Sequence, residues 1–252
     1  MPTLMEYGVE THPTLTEAFL IGAPGALLDA VSTTRVLPLE GFDRVAVLAD
    51  TVAAIASDQP AAEIAIGSLA GYPKFTGDGV VPTSYAETEA ATYETRIQAE
   101  LGSRGVPLGA VRYIRPSDES AFDSNLVSGT TIEEVALIAK RLTSLREGED
   151  YHQYSGMLGL ACGPLQARRV QRALEVINFP LDRVVLLPTS GEHESALKER
   201  ISRGIARVVL HGQSNLSPDG LIAVEQNHFL MRAISRRRGA GAAALSGATQ
   251  PN

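Results

Sequence analysis

Polar side chains recur in this sequence directly after short apolar segments and directly before segments with helical periodicity. Loops after parallel strands converge on one edge of a sheet, where helix N-termini direct backbone N–H groups, so residues in such positions can hold a small anionic ligand. Helix capping and turn formation are an equally open interpretation of each residue. The candidate residues are Asp50, Thr51, Ser68, Glu89, Ser128, Thr130, Thr131 and Arg168.

Arg168 gives the clearest indication of an anion. It falls in the first turn of a helix predicted to begin at Pro164, where the helix dipole disfavours a cation. A bound anion would compensate this cost, and so would a salt bridge to a carboxylate of the chain. A solvated face shared with Arg169 and Arg172 is the remaining alternative.

The other reactive residue types give weaker indications. Cys162 ends a predicted strand before a helix N-terminus, a setting that favours a thiolate, but a lone cysteine without an adjacent base is more often a buried apolar residue. The histidines lack metal-ligand spacing, and His193 beside Glu192 and Glu194 is a weak metal candidate or a helix cap. The stretch 71–79 matches neither the dinucleotide fingerprint nor the P-loop. No catalytic residue, metal or reaction follows from these patterns.

Apolar, β-branched segments are predicted to be the strands that position the candidate residues. Their alternation with helical segments predicts an α/β fold, specifically a Rossmann-like three-layer α/β/α sandwich with a mainly parallel sheet. The segment 205–210 is either an edge strand or the end of a helix. The predicted strands are 43–49, 62–67, 111–114, 157–161 and 184–187.

Helices are predicted wherever apolar residues recur at spacings of three and four. Two of them start with a capping box, in which a hydroxyl and a glutamate three residues later satisfy the first N–H groups. These boxes pair Ser84 with Glu87 and Thr131 with Glu134. The predicted helices cover about 84–101, 131–145, 164–177 and 14–31.

Length and charge narrow the class of protein. The 252 residues predict a single domain over 1–235, with an N-terminal helical segment over 1–42, and the aperiodic stretch 236–252 is predicted to be a disordered tail. A net charge of −7 argues against a general nucleic-acid binder, although it does not bear on a local basic patch. The sequence shows no apolar stretch of membrane-spanning length and no secretory signal, so we expect a cytoplasmic protein without a membrane span.

Several short motifs occur in an order that resembles a known family. The chain carries Thr88-Glu89-Ala90, Gly105-Val106-Pro107, Ser128-Gly129-Thr130-Thr131-Ile132-Glu133-Glu134 and Gln166-Ala167-Arg168-Arg169. This order, over about 43–188, resembles the SanA/ElyC/YdcF family, a domain-of-unknown-function family with a Rossmann-like fold, and is closest to its YdcF branch. The chain departs from the family at the predicted first strand, which ends Leu48-Ala49-Asp50 where the family has glycines. It also has Thr130 and Glu134 in place of two asparagines and lacks a histidine before the arginine.

The resemblance implies both site residues and ligand. It transfers a binding role to Glu89, Thr131, Glu133 and Arg168, and the association of the YdcF branch with S-adenosylmethionine makes that molecule a candidate ligand or cofactor. We therefore expect a protein that binds a small anionic or nucleotide-like ligand at the C-terminal edge of the sheet. The alternative is a non-catalytic accessory protein of cell-envelope maintenance that acts through a protein partner.

Overall fold

The computed structural model describes residues 15–22, 27–28, 35–37, 39–60, 63–71, 84–116, 123, 128–145 and 150–228. The strands are β1 (Glu17–Leu20), β2 (Leu27–Leu28), β3 (Arg35–Val36), β4 (Ile64–Gly67), β5 (Val111–Ile114), β6 (Leu158–Cys162) and β7 (Val184–Pro188). The helices are α1 (Leu39–Asp58), α2 (Glu89–Ser103), α3 (Thr131–Leu145), α4 (Ala167–Val176), α5 (Ala196–Val209) and α6 (Pro218–Asn227).

The main sheet has the strand order β5-β4-β1-β6-β7, and every pairing in it is parallel. Counted along the chain, this is the Rossmann order 3-2-1-4-5. After β1 the chain adds β4 and β5 on one side of it, and then crosses to the other side to add β6 and β7. The switch point therefore lies between β1 and β6. The predicted class, a Rossmann-like three-layer α/β/α fold, is confirmed.

Helices cover both faces of the sheet because its central strand is apolar on both sides. Phe19 of β1 belongs to the cluster that contains Ile138 of α3 and Val170 of α4. The next residue, Leu20, points the other way and belongs to the cluster that contains Leu48 of α1 and Tyr93 of α2. These two clusters are the apolar cores of the described part of the chain, one on each side of the sheet.

The prediction of a first strand over 43–49 is wrong, because this segment lies inside α1. Val45, Leu48 and Val52 are buried whereas Val47 is only partly buried, which is the one-sided pattern of a helix. A seven-residue apolar window is too short to separate this pattern from that of a buried strand.

The prediction of a helix over 14–31 is also wrong in the residues that the structure describes, and of the predicted helical segment 1–42 the described part is helical only over 39–42, at the start of α1. Glu17–Leu20 forms the central strand, and Leu27–Leu28 pairs with Arg35–Val36 as an antiparallel pair. All four residues of β1 are buried. A strand buried on both faces shows no apolar alternation, so its sequence lacks the pattern by which strands are usually recognised.

The remaining predicted strands are confirmed within two residues, and 205–210 is the end of α5 together with the turn that follows it. The helix starts differ from the predicted ones. Thr88, not Ser84, caps α2 by accepting from the N–H of Ala91 at 3.1 Å. Thr130, one residue before the predicted position, caps α3 by accepting from the N–H of Glu133 at 3.2 Å.

Some expectations fall outside the described residues. They are the tail 236–252, the domain boundary at 235 and most of the two polar loops before α2 and α3. In the part of the chain that is described, no helix is both long enough and apolar enough to cross a membrane.

Candidate functional site

The carboxyl ends of β1 and β6 meet at the switch point, and Gly22 lies at the centre of this edge. Three side chains hold its peptide group. The N–H of Gly22 donates to Glu134 Oε2 at 2.9 Å, while its carbonyl accepts from Arg44 Nη1 at 2.8 Å and from Gln166 Nε2 at 3.3 Å. We call Gly22, Arg44, Glu89, Glu134 and Gln166 the switch-point cluster.

Glu134 is the most perturbed carboxyl of the switch-point cluster. It is only 2% exposed, and its Oε1 atom has no hydrogen-bond partner among the described residues. Burial raises the pKa of Glu134 to about 8, and the nearby negative charge of Glu89 acts in the same direction. Glu134 is therefore a neutral carboxylic acid at pH 7. The backbone N–H of Leu69 also acts on this carboxyl group and lowers its pKa by less than burial raises it. Because Oε2 accepts from the N–H of Gly22, we infer that the proton lies on Oε1, which is then a buried donor without an acceptor among the described residues.

Glu89 brings a second carboxyl group to the same peptide. It is the first residue of α2 and is 5% exposed. A Cβ atom on Gly22 would lie 3.5 Å from Oε2 of both Glu89 and Glu134, and 2.9 Å from the Cβ of Ala70. The close approach of Ala70 requires glycine at position 22. Without a side chain there, the two carboxyl groups can share one small space.

Arg44 holds the end of β1 through hydrogen bonds to backbone carbonyls. Its side chain is fully buried, with Nη1 donating to the carbonyl of Ile21 at 2.6 Å and Nη2 paired with Glu40. Its Nε atom has no partner among the described residues. Arg44 therefore fixes the position of the peptide at Gly22, while most of its charge is already compensated.

Gln166 joins β6 to the start of α3. Its Nε2 donates to Thr131 Oγ1 at 2.7 Å, and the same oxygen accepts from Arg169 Nη1 at 3.0 Å. Arg169 forms a two-pronged ion pair with Glu199, at 2.9 and 2.8 Å. Gln166 is 1% exposed, and its Oε1 has no donor within the described part of the chain.

The turn that leads into α4 holds an anion of the chain itself. The Glu194 carboxylate accepts from the N–H of Leu165 at 2.9 Å and from the N–H of Gln166 at 3.0 Å. A Cβ on Gly163 would lie 2.4 Å from Glu194 Oε1, so only glycine leaves room for this carboxylate. The position expected for a ligand anion is thus filled by Glu194.

Seven of the predicted site residues lie where the strand ends and helix starts meet. Besides Glu89, Thr131 and Arg168 these are Ser68, Ser128, Thr130 and Glu133. Ser68 Oγ accepts from the N–H of Ala70 at 3.3 Å, and Ser128 forms an isolated parallel bridge with Ala70.

Thr130 and Glu133 connect α3 to α6. Thr130 Oγ1 donates to Glu225 Oε2 at 2.7 Å, and Glu133 Oε1 accepts from Gln226 Nε2 at 2.9 Å. Glu133 Oε2 also accepts at 2.8 Å from the N–H of Gly129, the residue before the cap Thr130, so both side chains satisfy N–H groups at the start of α3. The contacts of Thr130 and Glu133 therefore hold α3 against α6.

Asp50 and Thr51 lie elsewhere, within α1, whereas Arg168 lies at the expected edge, in the first turn of α4. Asp50 is exposed within α1, where its carboxylate accepts from Arg104 Nε at 2.7 Å, and Thr51 donates to the carbonyl of Val47 in the same helix. Their expected place at a strand end was wrong because the segment is helical. Arg168 is exposed on α4, and its neighbour Arg169 makes the contact with Thr131, since adjacent residues of a helix point about 100° apart.

The structure does not support special reactivity of the cysteine. Cys162 is fully buried, and burial raises the pKa of its thiol to about 12, so it is a neutral apolar residue at pH 7. His193 lies on the surface with Nε2 3.9 Å from Asp43 Oδ2. Among the described residues, no group of three His, Cys, Asp or Glu side chains is placed to hold a metal ion.

The centre of the site is not evident from the sequence pattern. The pattern gives no role to Gly22, Arg44 or Gln166, and it marks Glu134 only as a capping residue and as the replacement of a family asparagine. Glu134 occupies the same helical stripe as Ile138 and Leu142, four and eight residues further on, and both of these are buried. A carboxylate on a buried apolar stripe was the available signal. Comparison with family models, curated proteins and solved structures finds no match for this chain.

Proposed function

We propose that the chain binds a small hydroxyl-bearing molecule at the switch-point cluster. The observation that carries this proposal is a pair of buried polar atoms on either side of the Gly22 peptide. Glu134 Oε1 is a donor without an acceptor, and Gln166 Oε1 is an acceptor without a donor among the described residues. Buried polar atoms without partners are costly, and the hydroxyl groups of a ligand, which both donate and accept, can satisfy atoms of both kinds.

The charges around the cluster favour the sugar part of a nucleoside over a phosphate. Glu89 and Glu134 occupy one side of Gly22, and Glu194 occupies the turn into α4. The cations Arg44 and Arg169 already pair with Glu40 and Glu199. A ribose hydroxyl or an ammonium group suits this surrounding, whereas a phosphate would be repelled.

S-adenosylmethionine is the named candidate within this class. It carries ribose hydroxyls, an ammonium group and a sulfonium cation, all of which are compatible with nearby carboxyl groups. The resemblance to the YdcF branch, over about 43–188, supports the choice. We propose binding only, since the described contacts do not define a reaction.

Titration calorimetry with S-adenosylmethionine, adenosine and ribose 5-phosphate tests the proposal. Glu134→Gln keeps a donor at the position of Oε1, so we expect it to bind like the parent. Glu134→Met and Gln166→Met each remove one partner of the ligand hydroxyl groups and should weaken binding about fivefold to a hundredfold. Glu63→Gln, which changes an exposed carboxylate near β5, is the matched control. Equal affinity of the folded Glu134→Met protein and the parent would refute the site.

A role through a protein partner is the second candidate, and one observation favours it. Leu197, Ile201 and Val208 are large apolar residues of α5 with exposed fractions of 68%, 57% and 49%. Their spacings of four and seven place them on one face of the helix. If this face binds a partner in cell-envelope maintenance, Ile201→Asp in the source organism should reproduce the envelope defect of a deletion while ligand binding in vitro stays unchanged. A normal envelope in that strain would contradict this role.

A further inference from the structure

A groove of about 490 Å³ between α4 and α5 concentrates positive charge. The sequence holds 22 lysines and arginines and has a net charge of −7, yet six arginines line this one groove in the described part of the chain. His211 lies at its end. We call it the arginine groove. The arginines are Arg168, Arg169, Arg172, Arg200, Arg203 and Arg207.

Among the residues that the structure describes, carboxylates compensate two of these charges. Arg169 pairs with Glu199 at 2.8 Å and Arg172 pairs with Glu175 at 3.1 Å. The other four make no hydrogen bond or ion pair with any described residue. They are Arg168, Arg200, Arg203 and Arg207.

The placement of the four uncompensated arginines is unfavourable for the protein alone. Arg200, Arg203 and Arg207 follow one another at spacings of three and four, so their like charges lie side by side on α5. Arg168 lies four residues before Arg172 and in the first turn of α4, where the helix dipole adds to the repulsion. A multivalent anion between the two helices would relieve every one of these repulsions.

We propose that the arginine groove binds a compact polyphosphate, of the size of inorganic tripolyphosphate or the phosphate chain of a nucleoside triphosphate. Arginine suits phosphate because its planar fork donates two parallel hydrogen bonds to phosphate oxygens. The groove volume lies within the range of small-molecule sites. Arginines come from both helices, so a chain of two or three phosphates can contact both walls at once.

The groove is not suited to a nucleic acid. Sites for single strands present aromatic side chains on which bases stack, and the lining residues that the structure describes include no Phe, Tyr or Trp, with His211 as the one aromatic ring among them. A long polyanion would also meet the rest of an acidic molecule. The same phosphate chemistry occurs in lipid headgroups, so the experiment includes a membrane arm.

The test is titration calorimetry of sodium tripolyphosphate into the full chain at low and moderate salt. We expect binding that weakens as salt increases, and a loss of at least about tenfold in the double variant Arg200→Gln/Arg203→Gln. The matched control is Arg112→Gln/Arg183→Gln, which removes two exposed arginines outside the groove and should bind like the parent. Melting temperatures of both double variants report on folding, and that of the groove variant should not fall, because repulsion is removed.

Three results would overturn the proposal. One is unchanged tripolyphosphate binding in the folded groove variant, and another is an equal loss in the control variant, which would indicate non-specific charge. The third is binding to vesicles of anionic phospholipid without binding to free tripolyphosphate, which would assign the arginines to a membrane surface. The proposal is independent of the switch-point cluster, since Glu134→Met should leave tripolyphosphate binding intact and the groove variant should leave nucleoside binding intact.

Discussion

The neutral state of Glu134 can be tested through the stability of the protein, without any ligand. Glu134→Gln replaces a buried carboxylic acid with an amide of nearly the same shape, whose oxygen can still accept from the N–H of Gly22. In this variant, position 134 has no group that can ionise. Any difference between parent and variant that depends on pH therefore reports on the ionisation of this one carboxyl group.

The size of the effect follows from the two pKa values of Glu134. Its pKa is about 8 in the folded protein against an ordinary value of 4.5. Between these values the unfolded chain has released the proton and the folded protein has kept it, so the stability of the parent falls as pH rises. Each pH unit in this window costs about 1.4 kcal/mol, so from pH 5 to pH 8 the parent should lose roughly 3–4 kcal/mol relative to the variant.

Urea unfolding of both proteins at pH 5, 6, 7, 8 and 9 measures this difference. We expect the free energy of unfolding of Glu134→Gln, relative to the parent, to rise steadily with pH and to level off above pH 8. Glu63→Gln, with its exposed side chain, should follow the parent throughout. Parallel pH profiles for the parent and Glu134→Gln would mean that Glu134 is ionised in the folded protein, and the donor assigned to its Oε1 would then be wrong.

Three further substitutions test the other contacts of the edge. Glu89→Gln removes a negative charge that raises the pKa of Glu134, so in the same urea series the stability of the protein should level off at a lower pH than in the parent; an unchanged profile would show that the two carboxyls do not interact. Gly163→Ala places a Cβ 2.4 Å from Glu194 Oε1, so loss of the two N–H contacts should lower the free energy of unfolding by about 1–3 kcal/mol, and parental stability would contradict this packing. Arg44→Met leaves the buried carbonyls of Ile21 and Gly22 without this donor and should lower the free energy of unfolding by about 3–5 kcal/mol. A loss below about 1 kcal/mol would mean that water replaces the guanidinium.

The fold class could be predicted because it depends on the alternation of strands and helices along the chain. This alternation is still evident when a single element is assigned wrongly. The segment 43–49 was taken for the first strand when the true one is Glu17–Leu20, yet the number and order of βα units still indicated a parallel sheet. The two errors have one cause. A short run of apolar residues is equally consistent with a buried strand and with one side of a helix, and only the partners across the sheet decide between them.

The candidate site was predicted in outline, and its centre was not. Glu89 and Thr131 lie at the expected edge because a strand end and a helix start fix their positions. Asp50 does not, because its place depended on the wrong strand. The sequence also could not tell which of Arg168 and Arg169 faces Thr131. Successive residues of a helix point about 100° apart, so the direction of each side chain stays open when the start of the helix is uncertain by a few residues.

The position of Glu194 explains why negative and positive charges are separated in this molecule. In a Rossmann-like fold, free N–H groups at helix starts along this edge of the sheet commonly bind a ligand phosphate. Here the Glu194 carboxylate accepts from both Leu165 and Gln166, and Glu89 and Glu134 lie nearby around Gly22. A phosphate at this edge would have to displace the Glu194 carboxylate and approach the charge of Glu89. The arginines without a described partner instead line the groove between α4 and α5, so we expect a phosphate to bind there and not at the turn that Glu194 fills.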